Sequence, residues 1–201
     1  AHERGLYTVY VSNSFVTDEA LSLLKGKIDV LCSDIKSMSD DFYKEICPRA
    51  SVSQVLSSIK TAHDLGIHVE TRTNVIPGYN DDEKELQQIA EWIVRNLGAD
   101  SPWHVTRFYP AYRLAHVPST PVETLERAAT LGRQAGLGSV YVYADKGCDC
   151  ADENAPVAHY LPGWESLHEV NQCEESCCGE DGILITRYER EAGLLPNASV
   201  K

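Results

Sequence analysis

Asp34 and Lys36 are the sharpest chemical pair in the sequence. They flank Ile35 at the end of an apolar run, so on a strand both side chains face the same way. A carboxylate and an ammonium pointing together suit a zwitterionic or ribose-bearing ligand. The carboxylate accepts from sugar hydroxyls or a ligand amine, and the ammonium neutralises a ligand carboxylate. The plainer alternative is a strand-end salt bridge of little energetic value. Polar residues end four other apolar runs: Ser12-Asn13-Ser14, Thr73-Asn74, Arg107-Phe108-Tyr109 and Tyr143-Ala144-Asp145. In parallel α/β folds the C-terminal strand ends carry the chemistry. A separate group lies in the tail, where Cys148, Cys150, Cys173, Cys177 and Cys178 could supply thiolates to zinc. Their spacing lacks a tight Cys-x2-Cys knuckle, so free thiols are the alternative.

The elements that would position these residues follow a repeated pattern. A helical stretch runs to a glycine, and an apolar, β-branched or aromatic-rich run follows at once. This occurs at Gly26 before Ile28 to Ile35, at Gly66 before Ile67 to Ile76, at Gly98 before Trp103 to Tyr109, and at Gly136 before Val140 to Tyr143. Glycine just past a helix end stops it in the left-handed conformation. Each interval holds one strand and one helix, the spacing of βαβ units. Leu86, Ile89, Ala90, Ile93, Val94 and Leu97 trace one helical face, as do Val52, Val55, Leu56, Ile59 and Ala62. Asn80 with Glu83 reads as a capping box, and Thr120, Pro121 and Glu123 as another. The strands read as nearly continuous apolar runs, as expected when helices cover the sheet.

Ala1 to Gly5 resembles the last turn of a helix, and Leu6 to Val11 the strand after it. The only methionine is Met38. The expectation is a chain that is processed or part of a longer protein. Earlier barrel strands, or a partner, would then cover the Leu6 to Val11 edge, because an unpaired apolar edge aggregates. Residues 1–145 form the expected α/β part and 146–201 a Cys-rich appendage.

Composition narrows the function classes. The 201 residues are 43% hydrophobic and carry a net charge of −12, enough apolar material for a core and a poor match to nucleic acid or an anionic membrane. No apolar run approaches the length of a membrane span. Seven cysteines in an irregular, odd-numbered arrangement point to a reducing, cytoplasmic setting. No Walker loop, no Gly-x-Gly-x-x-Gly after a strand and no Ser-His-Asp arrangement is evident.

Asp34-Ile35-Lys36, then Val75 to Asp81 (Val-Ile-Pro-Gly-Tyr-Asn-Asp), then Pro102 to Tyr112 (Pro-Trp-His-Val-Thr-Arg-Phe-Tyr-Pro-Ala-Tyr) resemble the radical S-adenosylmethionine (SAM) superfamily. The likeness covers about residues 1–145. It is closest to the branch of pyruvate formate-lyase activating enzymes, and within that to the radical SAM group of the AmmeMemoRadiSam system. The resemblance implies a partial (β/α) TIM-type barrel, SAM and a [4Fe–4S] cluster in the intact parent, and cleavage of SAM to a 5′-deoxyadenosyl radical. It implies that Asp34 and Lys36 help hold the ribose and methionine carboxylate, with Asn13, Asn74 and Arg107 on neighbouring strand ends. Likeness to activating enzymes also suggests a protein substrate.

The chain departs from that family at several points. It has no Cys-x3-Cys-x2-Cys; Cys173 and Cys177 have the first spacing, but Glu180 stands at the third position. Ser14 replaces the glycine of a family Thr-Asn-Gly, and Tyr109 stands where relatives often have His. The expectation is therefore a C-terminal portion of such an enzyme, inactive alone. Two other readings remain open: a non-catalytic α/β module that binds a ligand or partner, and a module stabilised by zinc in its tail.

Overall fold

The computed structural model describes residues 1–144. The tail cysteines and the expected boundary at 145 lie outside the described residues. Five strands form one sheet: β1 (Val9–Ser12), β2 (Val30–Asp34), β3 (His68–Val75), β4 (Trp103–Arg107) and β5 (Val140–Tyr143). All neighbours are parallel, and the strands lie in the order in which they occur in the chain. Helices α1 (Asp18–Leu24), α2 (Asp40–Ile46), α3 (Val52–Asp64), α4 (Glu83–Leu97) and α5 (Val122–Ala135) lie between them. A sheet wound strand by strand with helical crossovers is a segment of a TIM-type barrel.

The glycine joins act as the sequence suggests. Gly136 follows α5 at φ 107 and donates its N–H to the carbonyls of Arg133 and Gly132. Gly66 turns the chain from α3 into β3 at φ 82. Residues with a Cβ populate this region only under strain. The opening turn is a short 3-10 helix, His2–Arg4, closed by Gly5, rather than the end of an α-helix.

Both expected capping boxes are corrected. The N-cap of α4 is Asp82, whose side chain accepts from Glu85 N–H. Asn80 is buried, with its amide engaged elsewhere. The N-cap of α5 is Pro121, without a side-chain cap. Thr120 instead accepts from Phe108 N–H and donates to Val75 C=O, tying two strand ends together.

The two faces of the sheet differ chemically, which corrects the expectation of uniformly apolar strands. Leu31, Val69, Val75, Trp103, Val105, Val140 and Val142 join Leu21, Ile59, Leu86, Ile89, Ile93 and Leu125 from the helices in one core. The residues that alternate with them point the other way. In β3 these are His68, Glu70, Arg72 and Asn74; in β4, His104 and Thr106; in β5, Tyr141 and Tyr143. The described helices pack on one face, and β3 reads as an alternation of polar and apolar residues.

Against the helix face, α5 approaches closely at Gly132. A Cβ there would lie 2.9 Å from Val140 Cγ2 and 3.0 Å from Trp103 Cε3. Gly132→Ala gains helix propensity of about 1 kcal/mol, but overpacking costs about 1–3 kcal/mol. The expected net is a loss of about 1 kcal/mol, read as a lower urea midpoint with an unchanged m-value.

Candidate functional site

The site begins at the C-terminal end of β2. Lys36 Nζ donates to Asp34 Oδ2 at 2.7 Å, with 29% and 27% of the two side chains exposed. The pair therefore shares one face, the face that the helices leave open. Arg72 is the register partner of Asp34 and is in turn paired with His104. Asn74, two residues further along β3, lies opposite Thr106 on the same face. It is exposed.

The segment after Asp34 is tightly held. Asn80 Nδ2 donates to Lys36 C=O at 2.7 Å and to Asn74 C=O at 3.0 Å, and its Oδ1 accepts from Ile76 N–H at 2.6 Å. Glu85, nearly buried at the start of α4, accepts from the Ser37 hydroxyl and from Met38 N–H. Thr73 Oγ1 donates to Ile35 C=O at 2.7 Å, and the Trp103 indole donates to Thr73 Oγ1 at 2.9 Å. The backbone around Lys36 is thus fixed from β3 and α4, and the flexible ammonium stands on a rigid support.

Tyr43, from α2, accepts from Lys36 N–H through its hydroxyl. Burial pushes its phenol up to about 12. A folded pKa above the unfolded value of about 10 gives stability that is complete below pH 10 and lost as pH rises through 12. Alkaline unfolding of the wild type should therefore have a component between pH 10 and 12 that Tyr43→Phe removes, as followed by circular dichroism. Cys47, at the end of α2, is half-buried, and burial pushes its thiol up despite the pull of Lys36. This setting does not favour a reactive thiolate.

The other sequence candidates divide. Asn13 lies just past β1, is exposed, and its Oδ1 accepts from Phe15 N–H at 3.1 Å. Ser14, at the glycine position of the resembled motif, adopts φ 61, and its hydroxyl donates to Ser33 Oγ at 2.7 Å. Arg107 is in register with Val75 of the helix-facing set, so alternation separates it from Asp34 and Lys36. It donates from Nη1 to Ala144 C=O at 3.1 Å and lies over the Tyr109 ring, while its buried Nε has no hydrogen-bond partner.

The open face also carries a polar chain that the sequence reading passed over. His104 Nε2 lies 2.7 Å from Glu70 Oε2, and its Nδ1 lies 3.1 Å from the Tyr143 hydroxyl. Glu70 and His104 are 1% and 4% exposed. Burial pushes the Glu70 carboxyl up, but hydrogen bonds and charge from His104 and His68 outweigh it and hold it below its ordinary value. The sequence signal was the alternation of polar residues at 68, 70, 72 and 74.

Among the described residues, no group of three or more His, Cys, Asp or Glu is placed to hold a metal ion. Neither Cys32 nor Cys47 forms a disulfide among the described residues. No described helix is long and apolar enough to cross a membrane.

Residues 1–93 match the family described as the Radical SAM superfamily. An uncharacterized protein of Methanocaldococcus jannaschii is 39% identical over 142 residues, which is 71% of this chain and 41% of that protein. The chain thus spans about two fifths of the length of the curated relative it matches. In fold it is similar to a domain of pyruvate-formate lyase-activating enzyme from Bacteroides vulgatus, with a TM-score of 0.62 and 16% identity over 70% of this chain and 83% of that one. It is also similar to a radical SAM methyltransferase from Sphaerobacter thermophilus, with a TM-score of 0.55 and 16% identity over 69% of this chain and 40% of that one.

Proposed function

The chain belongs to the radical SAM superfamily, and from that premise we propose that it forms the SAM-holding wall of an activating-enzyme-like barrel in a longer protein. The observation that carries this reading is the Asp34–Lys36 pair, fixed on the open face at the C-terminal end of β2. Its chemistry fits the polar parts of SAM. Lys36 would neutralise the methionine carboxylate, and Asp34 would accept from the ribose hydroxyls or the amine. Asn74 is on the same face and can add an amide donor. Asn13 has its carbonyl engaged but its amide nitrogen available by type. Arg107, on the alternate face with its Nε buried, is left out of this site.

The described residues do not fit the iron–sulfur cluster. Cys32 and Cys47 lie on separate elements with no disulfide among the described residues, and the whole sequence lacks Cys-x3-Cys-x2-Cys. We therefore assign the cluster to residues outside the described set and derive no step through it. When bound, SAM is the source of the 5′-deoxyadenosyl radical in this superfamily. The contribution of this chain is to grip SAM, orient it and exclude water around it. Val9 and Val11, on the open face of β1, are 42% and 61% exposed. Strands from the remainder of the barrel would cover that edge.

The test is anaerobic iron–sulfur reconstitution of the longer protein, followed by electron paramagnetic resonance with and without SAM. The expected result is a reduced-cluster spectrum that changes on SAM addition, with 5′-deoxyadenosine formed. A cluster spectrum indifferent to SAM, or no cluster at all, would remove the proposal.

A further inference from the structure

The loop from β4 to α5 runs against the charge of the molecule. From Arg107 to Val122 the chain carries Arg107, Arg113 and His116 and no carboxylate side chain, although the whole sequence has 30 acidic and 18 basic residues. The loop is firmly built. Phe108 and Val117 are buried, Leu114 packs against the core, and Thr120 ties Phe108 N–H to Val75 C=O. Leu114 N–H donates to Ala111 C=O at 2.9 Å and Val117 N–H to Leu114 C=O at 3.0 Å, around a short 3-10 turn over Tyr112–Leu114.

These anchors hold an aromatic ring outward. Tyr112 is 85% exposed, more than any other large hydrophobic among the described residues. Its backbone lies at φ 48, in the left-handed region where a bulky side chain is strained. A ring in solvent adds no packing to offset that strain, and such strain points to a role outside the fold. The Arg113 guanidinium lies 5.4 Å from the centroid of the Tyr112 ring. Among the described residues no carboxylate pairs with it. An apolar plane and a fork of donors thus stand side by side. A guanidinium so placed takes a carboxylate through two parallel hydrogen bonds. Tyrosine and arginine are also the residue types on which protein–protein binding energy concentrates.

We propose that the β4–α5 loop is a docking surface for an acidic peptide segment of a partner protein, with Tyr112 as the apolar anchor and Arg113 as the carboxylate clamp. A small anion would need a concave pocket, whereas Tyr112 and Arg113 are both exposed. A nucleic acid brings a long line of phosphates, which the net charge of −12 repels beyond this one loop. A short acidic segment fits within the loop. The loop leaves the C-terminal end of β4, the end at which Lys36 stands on β2. A docked segment therefore lies at the rim of the SAM-holding face. The assignment names the chemistry of a partner for the proposed function and rests on that reading for this placement alone.

The experiment is fluorescence anisotropy of the full-length protein with three labelled probes: a short peptide of alternating Asp and Leu, its Asn–Leu counterpart, and oligothymidylate. The Asp–Leu peptide should bind about tenfold or more tightly than the Asn–Leu peptide, the worth of one charge-assisted hydrogen bond. Raising salt from about 0.05 to 0.5 M should remove most of that preference. Arg113→Gln should weaken the Asp–Leu peptide about tenfold and the Asn–Leu peptide by less than about twofold. Tyr112→Gly should weaken both peptides about tenfold without lowering the urea midpoint, because glycine accepts the left-handed backbone.

No binding of the Asp–Leu peptide, equal binding of the two peptides, or tighter binding of oligothymidylate would overturn the proposal. So would wild-type peptide affinity in Arg113→Gln or Tyr112→Gly. A parallel titration with S-adenosylhomocysteine separates this surface from the proposed function. If that ligand binds and depends on Lys36 while the peptide fails, the docking surface falls and the SAM site stands. If the peptide behaves as expected, unaffected by Lys36→Ala, while S-adenosylhomocysteine does not bind, the docking surface stands and the proposed function falls.

Discussion

Asn80→Ala is expected to destabilise the fold by about 2–4 kcal/mol, a large share of a domain's margin. The Asn80 amide serves Ile76 N–H, Lys36 C=O and Asn74 C=O, and the residue is fully buried. Truncation leaves one backbone donor and two acceptors without that partner in an interior too tight for easy solvation. Each stranded group costs about 1–3 kcal/mol, in part recovered by relaxation. Urea denaturation measures the loss. Asn80→Asp is the informative companion, because it keeps the acceptor for Ile76 N–H and removes both donors. At neutral pH it should unfold at or below the midpoint of Asn80→Ala, because a buried carboxylate oxygen then faces the carbonyls of Lys36 and Asn74. A stability within about 0.5 kcal/mol of wild type for Asn80→Ala would show that the clamp on the Lys36 segment carries no weight.

The second large effect separates binding from folding. Lys36→Ala should lower SAM affinity by about 10–100-fold in the longer protein, the range of one charge-assisted hydrogen bond. Stability should change by less than about 1 kcal/mol, because the pair is partly exposed and such ion pairs are worth little. Lys36→Arg should recover part of the affinity, though the planar fork is not a substitute for a compact ammonium. Calorimetry with S-adenosylhomocysteine and a parallel urea titration supply both numbers. Equal affinity in wild type and Lys36→Ala would remove Lys36 from the site.

The distribution of these effects follows the folding logic. Glycines at helix ends are readable because the left-handed conformation at Gly66 and Gly136 strongly favours one residue type. The strands after them fall where the apolar runs predict; β5 coincides with Val140–Tyr143, and the others are trimmed by a few residues at their ends. The Asp34–Lys36 pairing is readable because strand alternation admits one arrangement.

Asn80 and Thr120 show the converse. As residue types both suit a helix N-cap, and local sequence cannot reveal that their side chains are engaged by strand ends distant in the chain. Glu70 and His104 were hidden for another reason. Reading the strands as nearly continuous apolar runs makes the polar residues of β3 and β4 look incidental, whereas this sheet has one apolar face and one on which polar residues alternate. Arg107 was grouped with the site by its place at a strand end, but its register with Val75 sets it on the alternate face.

The most direct measurement is a nuclear magnetic resonance footprint of S-adenosylhomocysteine on isotope-labelled protein. The account predicts shifts confined to the open face at the C-terminal strand ends, at Lys36, Asn74, Thr106 and Tyr143, with residues of α3, α4 and α5 that face away from the sheet unmoved. A footprint centred on the helices, or one that leaves Lys36 unmoved, would contradict it.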